Sequence, residues 1–187
     1  MILKAKQFYS SKKDFERFYH NLKLTHCPNC QEIGYLILNG LLYGNDEKIC
    51  AKTIIRGHRI FCSNRNQRKG CGKTFSIFDS NILKRFTIST RSFWLFLSNI
   101  SNGLNPVPAF KTLKLNFSTT SIYRFIRTFS DAQSHIRTLL SQRCKPPPLK
   151  RNSSCLNQTI HHLKCAFKNT PSNPITAFQL TFQRIFL

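Results

Sequence analysis

Cys27-Pro28-Asn29-Cys30 is the most chemically specific run in the chain. Two thiols at this spacing form a knuckle that offers both sulfurs to one tetrahedral metal ion, with nearby backbone N–H groups able to bond to sulfur. A second pair completes the set: Arg59-Ile60-Phe61-Cys62, then residues 63–70, then Cys71-Gly72-Lys73-Thr74-Phe75-Ser76. The overall pattern is C-x2-C-x31-C-x8-C. Four thiolates leave no open coordination position, so the expected cofactor is one structural Zn2+ held by Cys27, Cys30, Cys62 and Cys71. Cys50, His26 and His58 are spare ligands nearby. Cys144, Cys155 and Cys165, with His161 and His162, lack knuckle spacing and receive no role.

The second chemical signal is charge. The 187 residues carry 29 Lys plus Arg against 7 Asp plus Glu, a formal net charge of +22. Of these, 14 basic residues precede position 77 and 15 follow it, so both halves would gain from lying along a polyanion. Arg65, Arg68 and Lys69 sit between the last two cysteines, on a loop that metal would pin at both ends. With Lys73 beyond it, this is a phosphate clamp; a solvated loop is the plainer alternative.

Acid chemistry is nearly excluded. The carboxylates are Asp14, Glu16, Glu32, Asp46, Glu47, Asp79 and Asp131, and no glutamate follows Glu47. Two-metal phosphoryl transfer needs several carboxylates around divalent cations, and Asp79 and Asp131, expected on a linker or helix surface, supply only two. No phosphate-loop, dinucleotide, serine-hydrolase or zinc-protease motif occurs, so the expectation is no enzyme. No run approaches the roughly 20 apolar residues of a membrane span, and Met1-Ile2-Leu3-Lys4-Ala5-Lys6 lacks a signal segment. The expected setting is cytoplasmic and nucleoid-associated, without a membrane partner, where cysteines bind metal rather than form disulfides.

The elements that would position these groups give an α+β protein: a small N-terminal zinc ribbon followed by a mainly α, helix-turn-helix domain. Residues 1–23 read as a basic amphipathic helix. Residues 24–78 hold the ribbon, with strand formers at Gly34-Tyr35-Leu36-Ile37-Leu38 and Thr53-Ile54-Ile55-Arg56-Gly57-His58-Arg59-Ile60-Phe61. Over 79–143, Phe93, Leu97, Ile100 and Leu104 recur at helical spacing, with Gly103 as the stop signal, and Asn105-Pro106 opens a second helix. Ser118 caps a third, whose apolar face is Ile122, Phe125, Ile126, Phe129, Ile136 and Leu140. Its exposed positions, Thr119, Thr120, Ser121, Tyr123, Arg124 and Arg127, would meet phosphates and base edges in a major groove. A three-helix bundle with a basic surface is the alternative. Residues 144–187 read as a Pro146-Pro147-Pro148 linker, a helix with Leu156, Ile160, Leu163 and Phe167 on one face, and a terminal strand in which Phe178, Leu180 and Phe182 alternate with polar residues.

The order C-P-x-C, residues 59–76 with their C-G-K-T-F-S exit strand, then helix-turn-helix resembles the DNA-recognition part of short insertion-sequence transposases over about residues 25–130. That family closes its ribbon with C-x2-C where this chain has C-x8-C, and its three-carboxylate catalytic domain has no counterpart here. The resemblance implies a stand-alone, transposase-derived protein binding double-stranded DNA sequence-specifically. A separate transposase catalytic subunit and a second copy of the chain are its expected partners. Two other functions compete. One is an RNA or ribosome-associated zinc protein, favoured by diffuse charge and by Tyr35, Tyr43 and Phe61; the other is a catalytically active transposase.

Overall fold

The computed structural model describes residues 4–49, 51–148 and 154–187. Among them the chain is mixed α+β, with a four-stranded sheet and six α-helices. It divides into two units, Met1–Asp46 with Ala51–Ser80, and Glu47–Cys50 with Asn81–Leu187. Among the described residues no helix is long and apolar enough to cross a membrane.

In the first unit Ser11 starts α1 (Lys12–His20) by accepting a hydrogen bond from the Asp14 N–H at 3.2 Å. The Asp14 carboxylate accepts from the Ser10 N–H and pairs with Lys6 at 2.9 Å, placing negative charge at the positive end of the helix. Burial raises the Asp14 pKa, but the Ser10 N–H and Lys6 outweigh it and leave the group below its ordinary value. Phe18 of α1 and Leu22 of the 3-10 turn Leu22–Leu24 pack onto Leu36, Ile60, Cys62 and Ile77, the apolar face of the sheet.

The strands are β1 (Phe8–Tyr9), β2 (Leu36–Asn45), β3 (Thr53–Cys62) and β4 (Thr74–Asp79), in the order β1-β4-β3-β2. β3 runs antiparallel to both neighbours, and β1 lies parallel to β4 with Phe8 opposite Phe78. The β2–β3 register starts from Leu36 opposite Cys62 and shifts between Leu38 and Leu41, where Gly40 has φ 120°. The helix expected over 1–23 is therefore shorter: residues 1–3 lie outside the described residues, and Phe8 and Tyr9 form a strand because pairing with β4 buries both rings.

The second unit is helical. Ser89 caps α2 (Thr90–Ser101) through the Ser92 N–H. The Glu47 carboxylate accepts from the Ser89 N–H at 2.7 Å and from the Ser89 and Ser92 hydroxyls, which answers both orphan donors and the helix dipole. Pro106 opens α3 (Pro106–Lys111), its missing N–H costing nothing in a first turn. Ser118 caps α4 (Thr119–Ser141), which buries Ile122, Phe125, Phe129, Gln133, Ile136 and Leu140 along one face. Edge-to-face rings join Phe93, Phe110, Phe117, Phe125 and Phe129.

The C-terminal segment does not end in a strand. Pro174–Phe182 is a helix, α6, capped by Asn173, whose side-chain oxygen accepts from the Ile175 and Thr176 N–H groups. An N-cap asparagine followed by proline at the first helical position outweighs the short alternation of Phe178, Leu180 and Phe182. Residues 175–179 are buried on every side, as in a helix surrounded by protein. With α5 (Cys155–Ala166), α6 completes one core: Ile160, Leu163, Phe178 and Phe186 pack with Phe129, Ile136 and Leu140. His162 is buried and pairs through Nε2 with the Cys144 carbonyl at 3.1 Å.

Candidate metal centre and basic surfaces

The four thiols expected to bind metal come together in the first unit. The Sγ atoms of Cys27, Cys30, Cys62 and Cys71 all lie within 4.8 Å of one another, so the four can hold a metal ion. Cys27 and Cys71 are 3.8 Å apart and Cys30 and Cys62 are 3.7 Å apart. A tetrahedron with metal–sulfur bonds of about 2.3 Å has edges of about 3.8 Å, so the donor set fits such an ion.

Each sulfur also meets a backbone N–H. Asn29 and Cys71 donate to Cys27 and Cys62 at 3.4 Å, and the Glu32 and Lys73 amides face Cys30 and Cys71. Hydrogen bonds to sulfur favour the thiolate. The Glu32 N–H lowers the Cys30 pKa to about 7, whereas burial pushes Cys62 up to about 12. Cys71 is lowered by the Lys73 N–H but raised more by burial and its thiol neighbours. Ionising all four together calls for a cation at the centre.

The two halves share their outer backbone hydrogen bonds, although the donor to the first sulfur is Asn29 in one and Cys71 in the other. In the first, Cys27 N–H donates to the Glu32 carbonyl and Gln31 N–H to the Cys27 carbonyl, both at 2.9 Å. In the second, Cys62 N–H donates to the Lys73 carbonyl at 2.9 Å and Gly72 N–H to the Cys62 carbonyl at 3.0 Å. The residue after the second cysteine is left-handed in each, Gln31 at φ 63° and Gly72 at φ 71°. Gly70 N–H closes on the Ser63 carbonyl at 3.2 Å. A Cβ on Gly70 would stand 2.2 Å from that oxygen, so only glycine fits. Cys62, Ser63, Gly70 and Cys71 thus close at their outer bonds as the first knuckle does, and residues 64–69 are a six-residue excursion between Ser63 and Gly70.

All six excursion residues are exposed. The Arg65 guanidinium lies 5.3 Å from the Phe61 ring centre. Lys73 is exposed just beyond the knuckle. Lys23 was missed in the sequence: its ammonium donates to the Gly34 carbonyl at 3.2 Å, and its pKa is lowered by burial and then by Arg68. No spacing in the sequence announces that two cations, 23 and 68, are brought near each other by the fold.

The spare ligands go elsewhere. His26 Nδ1 meets the Gln31 carbonyl. His58 stacks on Phe15 at 3.6 Å, and burial lowers its pKa. Cys50 lies outside the described residues. Cys155 and Cys165 are exposed and Cys144 is partly buried. Among the described residues no second group of three or more His, Cys, Asp or Glu side chains gathers closely enough for an ion.

In the second unit, Thr119, Thr120, Tyr123, Arg124 and Arg127 are exposed on the N-terminal half of α4. Ser121 is half-buried, its N–H and hydroxyl both occupied by the Ser118 cap. The Arg124 guanidinium lies over Phe86, 5.5 Å from the ring centre. Asp79 is the last residue of β4 rather than a linker residue, and Asp131 is exposed on α4. No family model matches the chain, and neither a curated protein nor a solved structure matches it significantly.

Proposed function

We propose that the chain is a zinc-dependent, sequence-specific double-stranded DNA-binding protein, related to the recognition part of transposases and without its own catalytic domain. The observation that carries this reading is α4: one face is core, while Thr119, Thr120, Tyr123, Arg124 and Arg127 present hydroxyls and guanidinium groups along its exposed N-terminal half. Short α3, a turn and α4 then act as a helix-turn-helix, with α4 in the major groove. Arg127 is the better base reader, because Arg124 already rests on Phe86. Ser121 supports the cap instead of contacting DNA.

Zinc suits four thiolates at tetrahedral spacing and would make the first unit a zinc ribbon. When bound it supplies folding free energy, on the order of 10 kcal/mol for structural sites. The chain's own residues then do the binding: Arg65, Arg68, Lys69 and Lys73, with Lys23 added, hold phosphates. Strand chemistry, where it occurs, would come from a separate catalytic subunit, because Asp14 and Glu47 are committed to helix ends. A homodimer fits paired half-sites.

An RNA-binding reading is favoured by one feature. Tyr43 is 63% exposed on β2 opposite Ile55, a ring open to base stacking. Selection of bound sequences from a random duplex pool tests the primary reading. An enriched motif supports it; no enrichment overturns sequence-specific duplex binding.

A further inference from the structure

The excursion at residues 64–69 reads Asn64-Arg65-Asn66-Gln67-Arg68-Lys69, with neither a carboxylate nor an apolar side chain. Its base is fixed by Cys62, Cys71 and the Gly70–Ser63 hydrogen bond, so it stands on a rigid stem. Within it the residues divide by what they already touch. The Asn64 carboxamide lies over Gly72, where a Cβ would come within 2.7 Å of its Nδ2. Arg65 rests on Phe61, and the Arg65 carbonyl accepts from the Arg68 N–H at 3.2 Å, turning the chain back.

Asn66 and Gln67 stand at the top of that turn. Both are left-handed, at φ 53° and 61°, a conformation that glycine adopts without strain and glutamine does not. Asparagine tolerates this conformation in turns, but glutamine at 67 is strained in it, and glycine there would relieve the strain. This turn keeps two carboxamides, both exposed, and neither has a partner among the described residues. Backbone strain that keeps unpartnered polar side chains points outward, to a ligand. Carboxamides can donate to phosphates, but Asn and Gln each also match the donor and acceptor of adenine N6 and N7 in a major groove.

We propose that residues 64–69 are a base-reading finger, in which Asn66 and Gln67 contact base edges of duplex DNA, adenine above all, while Arg65, Arg68, Lys69 and Lys23 hold the flanking phosphates. The finger rests on the duplex-binding reading above and adds a second reader to α4. The preferred site then has two parts, one read by Arg127 and one, adenine-containing, read by the finger.

The test compares selections from a random duplex pool by the zinc-loaded full chain and by the double variant Asn66→Gly, Gln67→Gly. Glycine suits both left-handed positions, so the knuckle and its metal should be retained, which metal analysis verifies. The wild type should enrich a motif with an adenine-containing part that the double variant no longer enriches. On the preferred site the variant should bind roughly tenfold more weakly or worse, with affinity for random duplex changed less than about twofold. Identical motifs from both proteins would overturn the finger while leaving duplex recognition intact. A wild type that binds duplex without any motif, or binds only RNA, would overturn both.

Discussion

At the scale of the residue, the convergence of the four thiols was legible because their spacing follows the geometry that metal coordination demands. Cys27, Cys30, Cys62 and Cys71 need only a tight turn and a cross-strand pairing to converge. Cys62→Ser should therefore leave the chain without stoichiometric zinc by metal analysis, and Cys50→Ser should keep it. Full zinc in Cys62→Ser would contradict the assignment. Lys23 and the partners of Glu47 were not legible, since each depends on residues far away in sequence. His58 supports a second prediction. Burial depresses its folded pKa, so its contribution to stability is complete above the ordinary histidine value and is lost as pH falls below it. His58→Phe keeps the ring stack on Phe15 and removes the titration. Between pH 7 and pH 5 the wild type should lose more stability in denaturant melts than this variant, any proton-driven loss of metal being common to both. Equal losses would show that His58 does not titrate in a buried setting.

At the scale of the element, β2, β3, β4 and the first three helices of the second unit were readable from period, caps and turn residues, whereas β1 lay inside a segment read as helix. Ser118 and Pro106 fall where their chemistry demands. The last helix was not, because three alternating apolar residues in 178–182 mimic a strand, while the deciding signal, Asn173-Pro174, sits before them. The consequence is testable. A chain ending after Arg143 would expose Phe129, Ile136 and Leu140, which α5 and α6 cover, and each large side chain uncovered forfeits about 1.5–3 kcal/mol. Such a truncation should lose the cooperative unfolding of the second unit, whereas a mere linker and tail would be dispensable. Nor was the knuckle hidden in C-x8-C legible, since only backbone hydrogen bonds reveal it. Excising residues 64–69, which joins Ser63 to Gly70, should leave one zinc bound. Loss of the metal would contradict the knuckle equivalence of the two halves.

At the scale of the whole molecule, a net charge of +22 is the feature that any function must accommodate. Composition says nothing about shape, whereas the exposed half of α4 and the excursion at residues 64–69 are two defined places where basic side chains reach the surface. Each phosphate neutralised on B-form DNA contributes about −0.9 to the slope of log K against log salt. With both surfaces engaged, a slope steeper than about −2 is expected, and a shallower one would argue against a shared footprint. The most direct test of zinc-dependent duplex recognition is a competition titration of the zinc-loaded chain on its selected duplex against an excess of structured RNA, repeated after chelation. The expected result is duplex binding that survives the RNA and is lost with the metal. Displacement by RNA, or duplex binding unchanged by chelation, would contradict it.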